Sequence, residues 1–354
     1  MKLFPEKTRK FFGRALWWCA LFAVCFLSAF YAFPYLRARG GGQENNVGAD
    51  RPAAVLSLWH TDTFEGGKGS RAAFLKRVAA EYGKKNRGVA VLVSSYSAEG
   101  LQAAFLKGET PDLLSFGIGA EADTAAFMPL SAEFTKTLKA GRGAGTGKAA
   151  FAVPWCVNVY ALYTENGDFS DVSAENTLIS SGGKNLAEAA AAIAFPGEKL
   201  SGGVTESVAA YAAFLNGEKK YLLGTGRDIY RFAARNRQVR AQFLPGYNDL
   251  YQQIGVMKAR TDEKKREAAA AFIQYLLSEN VQKRLTELGM FSAYYKAYGG
   301  ETGGIAAQLE NELFSCGGAR LYADAFLSAE ARKTAARCAL EGNAAELKNF
   351  LKAK

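Results

Sequence analysis

The chain is poor in the residues that staple small folds or hold metals. Its 354 residues include five cysteines and one histidine, His60. So few cysteines exclude a disulfide-dense scaffold, and a lone histidine excludes a His-based metal cage. Cys19 and Cys25 fall in an apolar run, which leaves Cys156, Cys316 and Cys338. A Cys316–Cys338 bridge is compatible with an oxidising compartment, and unpaired, partly buried thiols are the alternative that the sparse count favours. Neither a metal nor a cofactor is expected.

Charge is also missing from one long stretch. Ala15 to Leu36 contains no charged residue and reaches the ~20 residues that a helix needs to span a bilayer. Lys2, Lys7, Arg9, Lys10 and Arg14 precede it against Glu6 alone, a bias that keeps the N-terminus in the cytoplasm and places the body outside. Trp17, Trp18 and Tyr35 lie near its ends, where aromatic rings sit at headgroup level. A buried core helix is the alternative. No small-residue cleavage pattern is evident, so an uncleaved anchor is favoured over a removed signal peptide. The expected order is a basic tail (1–14), a transmembrane or signal-anchor helix (15–36) and a flexible linker (37–52) carrying Gly40, Gly41 and Gly42.

The formal charge of +10 suggests nucleic acid until it is divided along the chain. Of 44 basic and 34 acidic residues, seven and one fall before residue 40, so the body holds 37 against 33. Pairs such as Lys84 and Lys85 are scattered rather than clustered, and no nucleic-acid partner is expected. Two Gly-rich stretches, Gly66 to Ser70 and Gly143 to Ala149, lack the order and spacing of a Walker motif. A helix N-terminus can still hold an anion through backbone N–H groups, so a phosphorylated ligand stays open, but an ATPase does not.

What is present is alternation. Ala54 to Trp59, Val89 to Val93 and Asp112 to Phe116 read as strands, separated by helical patterns at Ser70 to Lys85 and Glu99 to Leu106. Such alternation implies an α/β protein with right-handed crossovers. Its ligands gather beyond the carboxyl ends of the strands, here the loops after Trp59, Val93 and Phe116. Ala150 to Tyr163 is a long apolar run able to carry the chain into a second lobe. Helices follow at Asn185 to Ala194 and Glu206 to Leu215, a strand at Lys220 to Leu223 and a turn at Gly224, Thr225 and Gly226. Phe243 to Tyr251 reads as an aromatic loop, Ile254 to Lys258 as a strand and Asp262 to Leu277 as a helix.

Four blocks, in order, carry a family likeness: Ala54 to Ser70 (AVLSLWHTDTFEGGKGS), Gly108 to Gly117 (GETPDLLSFG), Phe151 to Tyr163 (FAVPWCVNVYALY) and Gly217 to Arg231 (GEKKYLLGTGRDIYR). A weaker fifth spans Ala268 to Tyr298. Together they resemble the family 1 extracellular solute-binding proteins of sugar-type ABC importers. The resemblance implies a two-lobed, periplasmic-binding-protein-like fold of type II. Lobe one would take residues 53–155 plus 255–297, and lobe two 156–254 plus 298–354. It further implies no enzymatic activity, a monomeric body outside the cytoplasm, a small polar ligand of carbohydrate type and ABC permease subunits as membrane partners. The stretch from Tyr163 to Glu206 is shorter than the family's.

Sugar recognition takes aromatic faces for C–H surfaces and fixed polar groups for hydroxyls. Trp59, His60, Asp62, Thr63 and Glu65 supply both at the end of the first strand. Trp155, Tyr160, Thr225, Arg227, Asp228, Tyr247 and Tyr251 are the residues able to close from the other side. Trp155 and Tyr160 fit a core equally well, Arg227 with Asp228 fits a local ion pair, and His60 fits a structural role. Two other readings compete: a glycoside hydrolase using Asp62 and Glu65 as acid and base, and a membrane-anchored receptor or scaffold that signals without feeding an importer.

Overall fold

A computed structural model describes residues 52–140, 143, 149–200, 204–259, 262–299, 304–316 and 321–352. The proposed tail and anchor, most of the linker, Cys19 and Cys25 lie outside the described residues, as does most of the Gly-rich stretch at 140–149. Among the described residues, no helix is long and apolar enough to cross a membrane.

Residues 52–354 form one compact unit containing two five-stranded sheets. Sheet one begins with β1 (Ala54–Thr61), β2 (Val89–Tyr96) and β3 (Leu113–Phe116). It is completed by β4 (Val153–Val157) and β11 (Tyr251–Val256), in the order β2-β1-β3-β11-β4. The first three are parallel, and β11 runs antiparallel to both neighbours. Leu56 and Leu58 are fully buried, as a strand covered on both faces requires. Between β1 and β2 lies α1 (Arg71–Lys85). Ser70 Oγ accepts from the Ala73 amide at its start, and Phe74, Leu75, Val78 and Tyr82 form its buried stripe. The connection to β3 passes through α2 (Ala98–Leu106), capped in the same way by Ser97.

Sheet two contains β5 (Tyr160–Thr164), β6 (Thr177–Ser181), β7 (Val204–Glu206), β8 (Tyr221–Thr225) and β9 (Arg240–Phe243), in the order β7-β6-β8-β5-β9. Its helices include α3 (Ala187–Ala194), α4 (Ser207–Leu215) and α5 (Gly226–Ala233). Later in the chain, α6 (Glu263–Leu276) packs on β1, and α7 (Ile305–Ser315) packs on β9. Next, α8 (Ala329–Leu340) packs on α3, and α9 (Ala344–Lys352) packs on both α3 and α8.

The chain crosses between sheets at Asn158–Val159 and returns through Asp249–Leu250. The crossings are stitched together: the Asn158 amide donates to Leu250 O at 2.6 Å, and Asn248 Nδ2 to Asn158 O at 2.9 Å. Sheet one therefore includes Cys156, Val157 and Tyr251 to Ile254, which the sequence reading assigned to the second lobe.

Two local expectations are corrected. Gly224, Thr225 and Gly226 are not a free turn: β8 runs through Thr225 and α5 starts at Gly226. Thr225 Oγ1 accepts from the Arg227 amide while Asp228 accepts from the Thr225 amide, a reciprocal cap that starts a helix directly from a strand. The expected aromatic loop at 243–251 instead holds the short strand β10 (Tyr247–Asn248) and the start of β11. Its rings pack inward, which makes the segment core rather than surface. Cys156, Cys316 and Cys338 are all free thiols. Burial pushes the Cys156 thiol up to about 12, so it is not a nucleophile at neutral pH.

Candidate functional site

The carboxyl ends of β1 and β3 in sheet one meet the loop after β6 and the starts of α4 and α5 in sheet two. The loop leaving β1 makes the seam. Phe64 forms an antiparallel bridge with Gly183, and the Lys184 amide donates to Thr63 O at 2.6 Å. Gly183 sits at φ +84°, and a Cβ there would stand 2.6 Å from Thr63 O. The close approach therefore needs glycine twice over.

Glu65 carries the polar part of the seam. Its Oε2 accepts from Ser207 Oγ at 2.6 Å and lies 2.5 Å from Arg227 and 3.2 Å from Arg231. Burial pushes the Glu65 carboxyl up, but the Ser207 hydroxyl and the two guanidinium groups outweigh it and hold it below its usual range. Two outer pairs, Lys184–Glu99 and Arg332–Glu121, also join the lobes, each at 3.2 Å.

Behind the seam runs a buried polar relay. Trp155 Nε1–H donates to Ser115 Oγ at 2.9 Å, and Ser115 Oγ lies 3.0 Å from His60 Nδ1. His60 Nε2 lies 3.0 Å from Asp62 Oδ1, which also accepts from Arg71 Nε at 2.5 Å. A neutral His60 protonated on Nε2 satisfies every member: Nδ1 accepts from the serine hydroxyl, and Nε2–H donates to the carboxylate. Burial pushes Asp62 up, yet the His60 hydrogen bond and the Arg71 charge hold it at about 2. With both Asp62 and Glu65 held down, neither of the two carboxyls suited by position to acid and base work favours the protonated form that a glycosidase's general acid needs.

At the crossing, Asp249 is buried with no cationic partner among the described residues. It accepts from Tyr160 Oη at 2.8 Å, Tyr247 Oη at 3.0 Å and the Leu186 amide at 2.6 Å. Asn185 Nδ2 donates to Tyr160 Oη at 2.7 Å. Burial, partly offset by these hydrogen bonds, pushes the Asp249 carboxyl up to about 6.

The structure brings Asp62, Thr63, Glu65, Thr225, Arg227 and Asp228 to the seam region, with Asp228 buried in the α5 cap. His60 is a buried member of the relay. The aromatic residues are placed otherwise, none of them more than 8% exposed. Trp59 turns to the α2 side of sheet one, 4.5 Å from the Tyr96 ring centroid. Trp155 lies parallel to Phe74. Tyr160 and Tyr247 serve Asp249, and the Tyr251 hydroxyl donates to Ala323 O. A strand residue alternates between faces, and in these five cases the alternation leads into the core rather than into the seam.

Sequence reasoning missed Gly183, Lys184, Ser207 and Arg231. Only Arg231 had a local signal, its (i, i+3) spacing from Asp228 within a short helix. Buried polar atoms collect nearby: Thr61 Oγ1, Thr63 Oγ1, Asn185 Oδ1 and Gln252 Oε1 have no hydrogen-bond partner among the described residues. Thr63 Oγ1 and Gln252 Oε1 both border Gly117, within 2.3 and 3.4 Å of where its Cβ would stand.

No protein-family model and no curated protein sequence matches the chain. Solved structures match its fold over most of its length. Maltose-bound MalE3 of T. maritima aligns with a TM-score of 0.56 at 16% identity, over 85% of this chain and 98% of that one. The sugar-binding protein MalE of Xanthomonas citri gives 0.57 at 14%, over 84% and 96%. The galacto-N-biose-/lacto-N-biose I-binding protein of the ABC transporter of Bifidobacterium longum gives 0.55 at 13%, over 86% and 96%. The chain thus has the two-lobed α/β fold of these binding proteins.

Proposed function

We propose that the chain is an extracytoplasmic solute-binding protein that captures a carbohydrate between its lobes and delivers it to an ABC permease. The carrying observation is the seam. Both lobes send strand-end polar groups to it, and several buried atoms there lack partners. Thr63 Oγ1 and Gln252 Oε1 have no hydrogen-bond partner among the described residues, and polar groups of this kind, placed where strand ends meet, suit the hydroxyl groups of a carbohydrate. The shared fold supports the same reading.

Lobe one comprises residues 53–157 and 251–297, and lobe two comprises 158–250 and 298–354, with Asn158–Val159 and Asp249–Leu250 as the hinge segments. Ligand contacts made by both lobes favour closure in proportion to their differential affinity. Residues 15–36 tether the body to the membrane, and the body is monomeric. Asp62, Thr63, Glu65, Thr225 and Arg227 are the contact residues. His60 and Asp228 hold them in position.

The test is a thermal-shift screen of the full chain in detergent against mono- and oligosaccharides. A ligand at a hundred times its Kd adds about 2.7 kcal/mol of stability. No shift with any sugar sinks the proposal.

A further inference from the structure

The groove beside the seam, between the 62–71 loop and α5, holds more positive than negative charge. Its volume is about 510 Å³, and Lys68, Arg71, Arg227, Arg231 and Arg235 line it against only Asp62 and Glu65. Arg71 neutralises Asp62, Arg227 pairs with Glu65, and Arg231 pairs with both Glu65 and the buried Asp228. Lys68 and Arg235 are exposed and have no carboxylate partner among the described residues. Lys68 stands over the Tyr230 ring at 5.0 Å and Arg235 over the Tyr211 ring at 5.2 Å. Arg71, only 4% exposed, keeps Nη1 without a hydrogen-bond partner among the described residues.

Guanidinium groups stay charged at any physiological pH. A cleft lined by one sign of charge and walled by protein concentrates the opposite charge. A neutral sugar leaves this excess uncompensated. Glu65 shows the chemistry that the arginine pair already accepts, a carboxylate reaching in from the opposite lobe.

We infer that the ligand is an acidic saccharide whose carboxylate or sulfate seats in this groove against Lys68 and Arg235. The inference rests on the carbohydrate reading of the seam and names the class of sugar.

Calorimetric titration of the full chain tests it with four probes: an oligogalacturonate, a sulfated disaccharide, a neutral galacto-oligosaccharide and inorganic sulfate, each at low and high salt. The same series is run on a Lys68→Glu/Arg235→Glu variant, whose altered side chains are exposed and leave the core untouched. At least one acidic saccharide is expected to bind, more weakly at high salt. The variant should bind it about tenfold more weakly or worse with an unchanged melting temperature. Neutral and acidic saccharides binding alike, or a variant that binds unchanged, overturn the inference and leave the carbohydrate reading standing. Failure of every saccharide to bind overturns both. Inorganic sulfate binding as tightly as the sulfated disaccharide overturns the saccharide class.

Discussion

The Lys184 amide donates to the Thr63 carbonyl across the seam, so a backbone hydrogen bond, rather than side chains alone, joins the lobes. Together with the Phe64–Gly183 bridge it makes closure a strand-like docking. That contact between the lobes is thereby sensitive to single substitutions that leave each lobe intact.

Gly183→Val is the sharpest of these. Its φ of +84° and the 2.6 Å approach to Thr63 O exclude a branched side chain. Closure should weaken by about 1–3 kcal/mol, and small-angle scattering should report a larger radius of gyration. A radius equal to that of the unsubstituted chain refutes this account of the seam.

Glu65→Gln removes the charge that Arg227 and Arg231 share while keeping the shape. The pairs are partly exposed, so an effect of about 1 kcal/mol is expected, roughly a fivefold rise in the open-to-closed ratio. Fluorescence transfer between dyes on the two lobes measures it, and rising salt should mimic the substitution. An unchanged transfer efficiency would show that the backbone docking alone closes the seam.

Trp155→Phe discriminates packing from binding. The indole N–H that serves Ser115 would be lost, and the relay through His60 would lose its donor. Stability should fall by about 1–3 kcal/mol with the Kd for ligand unaltered. A weakened Kd at full stability would instead return Trp155 to the ligand site.

Two carboxyls set opposite pH dependences. Asp249 is raised in the fold from 3.8 to about 6, so between those values the native state holds a proton that the unfolded chain has released. Its contribution is therefore full below about pH 4 and is lost as pH rises through 6, by up to about 3 kcal/mol. Burial and the charge of Asp249 raise Glu188, which adds to the same trend. Asp62, depressed to about 2, contributes above pH 4, and that contribution is lost as the pH falls toward 2. Denaturant unfolding from pH 4.5 to 7.5 should show a decline that Asp249→Asn flattens. An equal slope in both proteins refutes the assignment.

The strand-helix rhythm of sheet one was legible because Ala54 to Phe116 alternates apolar runs with amphipathic stretches, each helix opened by a serine cap. The loop after β1 was legible for the same reason, since parallel strands gather function at their carboxyl ends. The start of α5 carried a readable Thr-x-x-Asp signature, hidden by the glycines on either side of Thr225. The aromatic residues misled because a tryptophan or tyrosine at a strand end suits a sugar platform and a core equally, and only strand register decides between them. Gly183, Ser207 and Lys184 take their place in the seam from Phe64, Glu65 and Thr63, each more than a hundred residues away in sequence, which no local pattern encodes.

The place of β11 inside sheet one has a consequence for how the molecule comes into being. The strand lies between β3 and β4, yet follows all of sheet two in the chain. A nascent chain therefore emerges with β3 unpaired along one edge until residues 251–256 leave the ribosome. Pairings of such sequence separation form slowly, which gives the growing polypeptide a long interval in an unlocked state. Sheet one is thus completed only after every strand of sheet two has been synthesised.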